Sequence, residues 1–237
     1  MKQRNILRLL LAAIFPLCLL SCVRQEPPPS NGNVGNAPGT ERNSVTDDEG
    51  NTVSFDRPFT RIISFYSAHT ENLFALGAGA SVIGVNSTGG YPETAKIIPV
   101  FEYTGDPEYV IAASPDLVLI RPFIRRRNPA YIAALEKAGI PVVSLYPETF
   151  DDFDGYIRRL ALLFGMDAEQ KLQEFHSGLR SVEESASSIK NRLNVFFETT
   201  ENGTRTASPE SLPAIAITTA GGINIAKDAK PVNPLSS

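Results

Sequence analysis

Between residues 60 and 165, short apolar runs alternate with segments of helical periodicity. The runs are rich in β-branched residues and predict buried strands: "TRIISFY" (60–66), "SVIGV" (81–85), "DLVLIR" (116–121) and "IPVVSLY" (140–146). The segments that separate or follow them predict helices: "SAHTENLFALG" (67–77), "PEYVIAAS" (107–114), "NPAYIAALEKAG" (128–139) and "DDFDGYIRRLALLFG" (151–165). Because strands alternate with helices, the pattern predicts a parallel sheet that is covered on both faces.

The ends of the first two predicted helices carry residues that suit those positions. Ser67 or Thr70 can cap the first helix, and Gly77 can end it, because glycine accepts a left-handed backbone without strain. Pro107 suits the first turn of the second helix, where the missing N–H would have no helical partner.

A longer helix is predicted directly after this unit. From Ala168 to Leu193, apolar residues recur at alternating steps of four and three, so one stripe runs along about 26 residues, or about 39 Å. A coiled-coil seam would explain this stripe, but the short run favours a stiff strut that lies across the α/β domain. After it, "LNVFFET" (193–199) predicts a strand and "SLPAIAITTAGGINIA" (211–226) a helix and turn, which are too few elements for a second sheet.

The amino terminus has the features of a secretion signal. Lys2, Arg4 and Arg8 precede an apolar stretch of about a dozen residues, which fits a secretory signal and is too short to span a membrane. It ends in Leu-Leu-Ser-Cys (19–22), which resembles the lipobox of bacterial lipoproteins. We predict cleavage before Cys22 and lipidation of its thiol, which would anchor the chain to a membrane. The alternative is a simple signal that is cut nearby.

The next segment, residues 23–44, is rich in Pro, Gly, Asn and Ser and lacks apolar periodicity, so it predicts a flexible tether. These boundaries divide the chain into five parts. The parts are a signal peptide (1–21), a lipidated amino terminus and flexible linker (22–44), an amino-terminal α/β lobe (45–166), a long connecting helix (167–192) and a partial carboxyl-terminal lobe (193–237).

The composition is that of an ordinary globular protein. With 42% hydrophobic residues, 20% charged residues and a net charge of -4, the chain offers no basic field for nucleic acid. Its only cysteines are Cys18, in the predicted signal, and Cys22, so we expect no disulfide in the mature protein. The sequence lacks G-x-S-x-G, H-E-x-x-H, C-x-x-C and phosphate-loop motifs, and two histidines leave little general-base capacity, so we do not expect an enzyme.

Several phrases, in their order and spacing, resemble the periplasmic substrate-binding proteins of the cobalamin, siderophore and haem ABC importers. The phrases are "VTDDEGNTVSF" (45–55), "RIISFYSAHTENLFALGAGASVIGV" (61–85), "YPETAKIIPV" (91–100), "PEYVIAASPDLVL" (107–119), "LEKAGIPVV" (135–143) and "AGGINIAKDA" (220–229). The resemblance implies an α/β fold in which a parallel-sheet amino-terminal lobe is joined by one long helix to a second α/β lobe. That lobe is incomplete in this chain, and we expect the chain to be a fragment rather than a protein completed by another chain.

The resemblance also implies a function. A membrane-anchored binding protein would capture a ferric siderophore, haem or a corrinoid such as cobalamin and deliver it to an ABC permease with its ATPase. It would act as an exported monomer, on the outer side of the bacterial cytoplasmic membrane or in the periplasm, with the metal chelate as ligand and no cofactor of its own. A ligand-binding sensor or accessory lipoprotein without a permease is the alternative.

Ligands of open parallel sheets bind beyond the carboxyl ends of the strands. In the first such loop we predict ligand contacts from Tyr66, Ser67 and His69, although helix capping would explain Ser67 without a ligand; the family's usual proline is replaced by Tyr66. In the next loop, Tyr91 matches a tyrosine that haem-binding relatives use as an iron ligand. Relatives that bind no haem carry tyrosine there too, which favours stacking or packing. Tyr103 is a further candidate contact.

The loop "IRPFIRRRNP" (120–129) concentrates positive charge in an otherwise acidic protein. We predict that Arg121, at a strand end, faces the ligand and that Arg125 assists it, whereas Arg126 and Arg127 fit a solvated surface run. Guanidinium groups match carboxylates and other anionic oxygen groups, so the loop predicts an anionic ligand. The absence of tryptophan removes one common stacking wall for a corrin ring.

Glu108 has two explanations. A carboxylate in the first turn of a helix interacts favourably with the helix dipole, by about 0.3–1 kcal/mol. In the family that the chain resembles, a glutamate at this position of the "PEYVIAASPD" phrase docks against arginines of the permease, which implies the same role for Glu108.

Overall fold

The computed structural model describes residues 42–88, 90–199 and 206–228. Cys22, the predicted signal peptide and most of the predicted linker lie outside these residues. The strands are β1 (Asn43–Thr46), β2 (Thr52–Phe55), β3 (Ile62–Ser64), β4 (Val82–Val85), β5 (Leu117–Ile120), β6 (Val142–Ser144), β7 (Asn194–Val195) and β8 (Ile223–Asn224). The α-helices are α1 (Ser67–Leu76), α2 (Pro107–Ala112), α3 (Pro122–Arg127), α4 (Pro129–Lys137), α5 (Phe153–Leu163), α6 (Glu169–Ser187) and α7 (Leu212–Thr219).

The central sheet has four strands in the order β4-β3-β5-β6, and every pair is parallel. Successive residues of β5 point to opposite faces, as the pleat of a strand requires. Leu117 and Leu119 pack into a cluster with residues of α1 and α5, whereas Val118 and Ile120 pack into a second cluster with residues of α2 and α4. The predicted parallel sheet with two covered faces is therefore confirmed.

Helix α1 begins differently from the prediction. Tyr66 precedes its first turn in an extended conformation, and no side chain caps the helix. Thr70 is buried and donates its hydroxyl to Ser64 Oγ at 3.0 Å. The prediction of a Ser67 or Thr70 cap is wrong, whereas Gly77 ends the helix with a φ of 90°, as predicted.

An antiparallel hairpin of β1 and β2 precedes the sheet and was not predicted as strands. Its first strand begins at Asn43, two positions inside the predicted linker. The turn is bonded to the end of β6: Asp47 Oδ2 accepts the N–H of Ser144 at 3.2 Å, and the N–H of Asp48 donates to the carbonyl of Ser144 at 2.9 Å. The hairpin thus lies beside the carboxyl edge of the sheet.

Helix α6 has 19 residues and ends at Ser187, before the predicted end. The hydroxyls of Ser187 and Ser188 donate to the carbonyls of Glu184 and Ser185, at 2.6 and 3.0 Å. Such side-chain bonds compete with the helical pattern and favour a stop. The start of α6 packs on α5 and its end on α7, so it leads from the central sheet to the segment that follows.

That last segment holds α7 and a two-stranded parallel sheet of β7 and β8, so the expectation that it has too few elements for a second sheet is wrong. Its strands carry two residues each, so most of the predicted strand 193–199 is irregular. Over the described ranges, no helix combines the length and the apolar character that crossing a membrane requires.

Candidate functional site

Residues just beyond the carboxyl ends of three neighbouring strands lie close together. Tyr66 follows β3, Arg121 follows β5 and Tyr146 follows β6. The rings of Tyr66 and Tyr146 lie 6.0 Å apart, and the guanidinium carbon of Arg121 lies 5.0 Å from the centre of the Tyr66 ring. The parallel topology produces this proximity, because the carboxyl ends of parallel strands lie at one edge of the sheet.

Arg121 is held between two aromatic rings. Its guanidinium carbon lies 5.0 Å from the ring centre of Phe123 as well as 5.0 Å from that of Tyr66. Ring faces attract cations, and the guanidinium plane suits stacking. Among the described residues no carboxylate forms an ion pair with Arg121, which is half-buried, so its charge is available to a ligand.

The Tyr66 phenol can donate a hydrogen bond at neutral pH. Burial raises its pKa above the ordinary value, and the neighbouring Tyr146 adds to the rise, while Arg121 acts in the opposite direction. The phenol therefore stays protonated beside a cation. Together, Tyr66 and Arg121 present one O–H donor, one positive charge and aromatic surface.

Arg125, predicted to assist Arg121, is occupied by two carboxylates. Its Nε donates to Glu49 at 3.1 Å and its Nη1 to Glu136 at 2.8 Å. Burial alone would lower the pKa of Arg125, but Glu136 and Glu49 outweigh burial and raise it. The predicted ligand contact from Arg125 does not fit this arrangement, because the loop folds as α3 and turns Arg125 towards the hairpin and α4.

His69, also predicted as a ligand contact, is fully buried in α1. Its Nδ1 lies 2.8 Å from the Tyr156 hydroxyl, and its Nε2 lies 3.1 Å from the carbonyl oxygen of Ile120. Both ring nitrogens therefore have protein partners, and direct contact with a ligand does not fit this position. The bond to Tyr156 could not be predicted from the sequence, since Tyr156 is 87 positions away in the chain.

The other predicted contacts are spread over the surface and core. Ser67 is the first residue of α1, directly after Tyr66. Tyr91 is 65% exposed on the loop after β4, and Tyr103 packs edge-on against Phe65 at 6.1 Å. In the described part of the chain, no ring contact joins Tyr91 or Tyr103 to Tyr66.

Glu108 lies in the first turn of α2, as predicted, and is exposed. Its N–H donates to Asp106 Oδ1 at 3.0 Å, which caps the helix. The adjacent Tyr109 is 73% exposed, so the start of α2 offers a carboxylate and an aromatic ring to solvent.

Phe123 and Tyr146 were missed by the sequence reasoning. The sequence contains a signal for each of them. Tyr146 lies at the end of the apolar run that forms β6. Arg121 directly follows β5, and Phe123 comes two residues after Arg121. Aromatic residues in these positions lie where ligands of parallel sheets bind.

A depression beside Tyr146 carries several acidic side chains. Its volume is about 630 Å³, and it is lined by Tyr146, Pro122 and acidic residues that include Glu148 and Asp151. Arginine neutralises part of this charge, because Arg159 Nη1 contacts Asp48 Oδ1 at 2.6 Å. Within the described residues, no group of three or more His, Cys, Asp or Glu side chains could hold a bare metal ion.

Named proteins are similar to this sequence over about two thirds of its length. An uncharacterized ABC transporter substrate-binding lipoprotein of Bacillus subtilis, YvrC, is 28% identical over 161 residues, which cover 65% of this chain and 51% of the relative. A vitamin B12-binding protein of Pectobacterium carotovorum is 30% identical over 176 residues, covering 71% of this chain and 62% of the relative. The chain thus spans about half to three fifths of the length of these relatives.

Solved structures share the fold. The apo form of the periplasmic haem-binding protein RhuT from Roseiflexus sp. RS-1 matches with a TM-score of 0.60 and 28% identity, over 75% of this chain and 72% of that one. The vitamin B12-binding protein BtuF of Vibrio cholerae matches with a TM-score of 0.56 and 23% identity, over 73% and 69% of the two chains, and shows likeness of fold alone. A family model described as "Periplasmic binding protein" matches residues 62–236. The chain belongs to the periplasmic binding protein family.

Proposed function

We propose that the protein is a substrate-binding protein that captures an anionic metal chelate and delivers it to an ABC permease. The observation that carries the ligand class is Arg121, a half-buried cation between two rings with no carboxylate partner among the described residues. The names of its relatives support the transport role, because they include a substrate-binding lipoprotein of an ABC transporter and vitamin B12-binding proteins. The proposal includes no catalytic step.

Within that class, haem and ferric siderophores fit the site better than cobalamin. Haem carries carboxylates beside a planar conjugated ring, and many siderophores carry carboxylate or catecholate groups. Such ligands can pair an anionic oxygen with Arg121 and accept the Tyr66 O–H, while their flat surfaces contact Phe123 or Tyr146. A corrinoid would use the aromatic surface but offers less negative charge to Arg121.

The proposal also places the protein outside the cytoplasm, anchored by a lipid on Cys22. Its support is the sequence, a charged start followed by a short apolar stretch and a lipobox-like Leu-Leu-Ser-Cys. The name of the Bacillus subtilis relative, which is called a lipoprotein, agrees with it.

The test is titration of the purified protein with haemin, a ferric catecholate chelate, ferric citrate and cyanocobalamin, followed by absorption and calorimetry. We expect binding of at least one anionic chelate. A charge-assisted contact that is partly shielded from water contributes about 1.5–3 kcal/mol, so Arg121→Ala should weaken binding about tenfold to a hundredfold.

Arg127→Ala is the matched control, because Arg127 ends α3 and is exposed. It should leave the affinity within about twofold of the wild type, since an exposed charge is screened by solvent. Equal affinities of the wild type and Arg121→Ala would contradict the ligand assignment, and binding of cyanocobalamin alone would contradict the anionic class.

A further inference from the structure

His69 has a fixed hydrogen-bonding pattern. The carbonyl oxygen of Ile120 can only accept, so His69 Nε2 carries the proton and donates across 3.1 Å. Nδ1 is then an acceptor, and the Tyr156 hydroxyl donates to it across 2.8 Å. The Tyr156 oxygen in turn accepts from Asn72 Nδ2 at 3.1 Å. One directional chain of hydrogen bonds therefore runs from Asn72 to the end of β5.

The protonation of this chain of hydrogen bonds does not change near neutral pH. Burial lowers the pKa of His69 to about 4, so the ring is neutral and keeps one tautomer. Burial also raises the pKa of Tyr156, so its hydroxyl remains a donor. The ring of His69 thus has one orientation, set by its two hydrogen-bond partners, Tyr156 on α5 and Ile120 on β5.

The His69 ring contacts the candidate ligand site at two places, Tyr66 and the backbone before Arg121. Tyr66 meets His69 edge to face, with ring centres 5.0 Å apart and planes at 86°. Ile120, which accepts from His69, is the residue directly before Arg121, and its carbonyl also accepts the N–H of Leu145 at 2.9 Å. A single buried ring therefore contacts Tyr66 and fixes the backbone next to Arg121.

We propose that His69 is a positioning residue for the ligand site: its bond to Ile120 and its contact with Tyr66 hold the stack of Tyr66, Arg121 and Phe123 in its binding geometry. This inference rests on the proposed function, since the geometry affects affinity only where a ligand binds Arg121. It assigns His69 no contact with the ligand.

Two variants separate the bond to Ile120 from the bond to Tyr156. A glutamine side chain is long enough for its amide nitrogen to take the place of Nε2, so His69→Gln can keep the donor to Ile120. The shorter asparagine side chain reaches only the place of Nδ1, so His69→Asn can keep an acceptor for Tyr156 and loses the donor to Ile120. Each variant loses one buried hydrogen bond, and we expect similar midpoints in urea unfolding.

The two variants should differ in ligand binding. The measurement is titration with haemin and a ferric catecholate chelate. His69→Gln should bind with an affinity within about threefold of the wild type. His69→Asn should bind at least about tenfold more weakly, because one charged contact with the ligand is then misplaced. Tyr156→Phe, which keeps the ring and removes only the hydroxyl, tests the same chain with little change in packing. It should leave the affinity within about threefold of the wild type, as in His69→Gln, because Nε2 of His69 still donates to the carbonyl of Ile120.

A measurement without ligand separates a failure of this inference from a failure of the proposed function. The side-chain Nε–H signal of Arg121, followed by NMR relaxation, should report an ordered guanidinium in the wild type and in His69→Gln, and a mobile one in His69→Asn. If no probe binds the wild type, the proposed function fails and this contrast still decides the positioning role. Equal order of Arg121 in both variants, or equal affinities where binding occurs, would overturn it.

Discussion

Arg121 and Arg125 are four positions apart and have opposite environments. Arg125 is bonded to Glu49 and Glu136, whereas Arg121 lies between Tyr66 and Phe123 without a carboxylate in the described part of the chain. The cost of leaving a half-buried guanidinium unpaired is offset in part by the ring faces, because they attract cations. An unpaired cation that is held in place in this way is better suited to binding an anion than to stabilising the fold.

The lowered pKa of His69 predicts how the stability of the protein depends on pH. Its pKa is about 4 in the folded protein and about 6.5 in the unfolded chain, so the unfolded chain binds more protons between these values. The contribution of the neutral His69 ring to stability is therefore fully present above pH 6.5 and is lost as the pH falls towards 4. Among its charged neighbours, Asp48 favours the protonated ring and Arg121 opposes it. We expect a loss of about 2 kcal/mol between pH 7 and pH 5 from this residue.

Urea unfolding at several pH values measures this effect. His69→Gln is the control, because glutamine does not titrate, and its stability should fall less over the same range. The same slope in both proteins would show that the acid sensitivity comes from other groups.

At the residue scale, the sequence predicted that Tyr66 and Arg121 lie beyond the ends of strands. The end of an apolar run marks the end of a buried strand, and their contact with a ligand stays a prediction. His69 and Arg125 were assigned to the ligand because their sequence neighbours were. Their partners, Tyr156 and Glu49, lie 87 and 76 positions away, and single-sequence patterns contain no information about such pairs.

The β1–β2 hairpin is bonded through Asp47 to the end of β6, the strand that Tyr146 follows. Its Asp47 is 5% exposed, and Oδ1 accepts the N–H groups of Glu49 and Asn51 at 3.0 and 2.8 Å, while Oδ2 accepts the N–H of Ser144 at 3.2 Å. One carboxylate therefore shapes the turn and joins it to β6.

Asp47→Ala should lower the free energy of unfolding by about 2–3 kcal/mol, because hydrogen bonds to a charged group are lost and buried donors remain unpaired. Chemical denaturation gives the value. Asp56→Ala is the matched control, since Asp56 pairs with Arg42 on the surface of the same hairpin, and it should cost about 0.5 kcal/mol or less. Equal costs would mean that the turn is not joined to β6 in solution.

At the element scale, long periodic segments were predictable and short or side-chain-controlled ones were not. The helices α1, α2, α4 and α5 and the four strands of the central sheet appear where periodicity placed them. The hairpin was missed because its strands are mostly exposed and contain polar residues such as Asn43 and Thr52. Helix α6 was predicted too long because the apolar stripe continues past Ser187, where serine side chains bond to the backbone.

For the molecule as a whole, the proposed delivery step predicts that capture and transport can be separated. Glu108 is exposed at the start of α2, with no role at the Arg121 stack. Glu108→Arg should therefore leave the affinity for the chelate unchanged and strongly reduce its uptake by cells, because a reversed charge repels a basic partner surface. The loss of the favourable helix-dipole interaction should cost only about 0.3–1 kcal/mol of stability.

Uptake of labelled chelate by cells and calorimetry of the purified protein are the paired measurements. Glu183→Arg, a reversal of an exposed carboxylate on α6, serves as the control and should change neither. Equal losses of uptake and binding in Glu108→Arg would assign Glu108 to the fold or to the ligand site instead.

The proposed anchor predicts where the protein is found in the cell. Cys22→Ala removes the thiol that would carry lipid, so the variant should either stay unprocessed or be released from membranes. Fractionation and amino-terminal sequencing test this. A variant that is still cut after Ser21 and still sediments with membranes would contradict lipidation at this cysteine.

The stack around Arg121 also bears on the time a ligand stays bound. A free arginine side chain has about 2 kcal/mol of rotamer entropy, and we expect the contacts of Arg121 with the rings of Tyr66 and Phe123 to remove part of it before any ligand arrives. Binding then freezes little additional motion, and the advantage appears mainly as slow dissociation. We expect that rapid release requires the ring of Tyr66 or Phe123 to move away from the guanidinium. The permease that receives the ligand would therefore have to displace one of these rings.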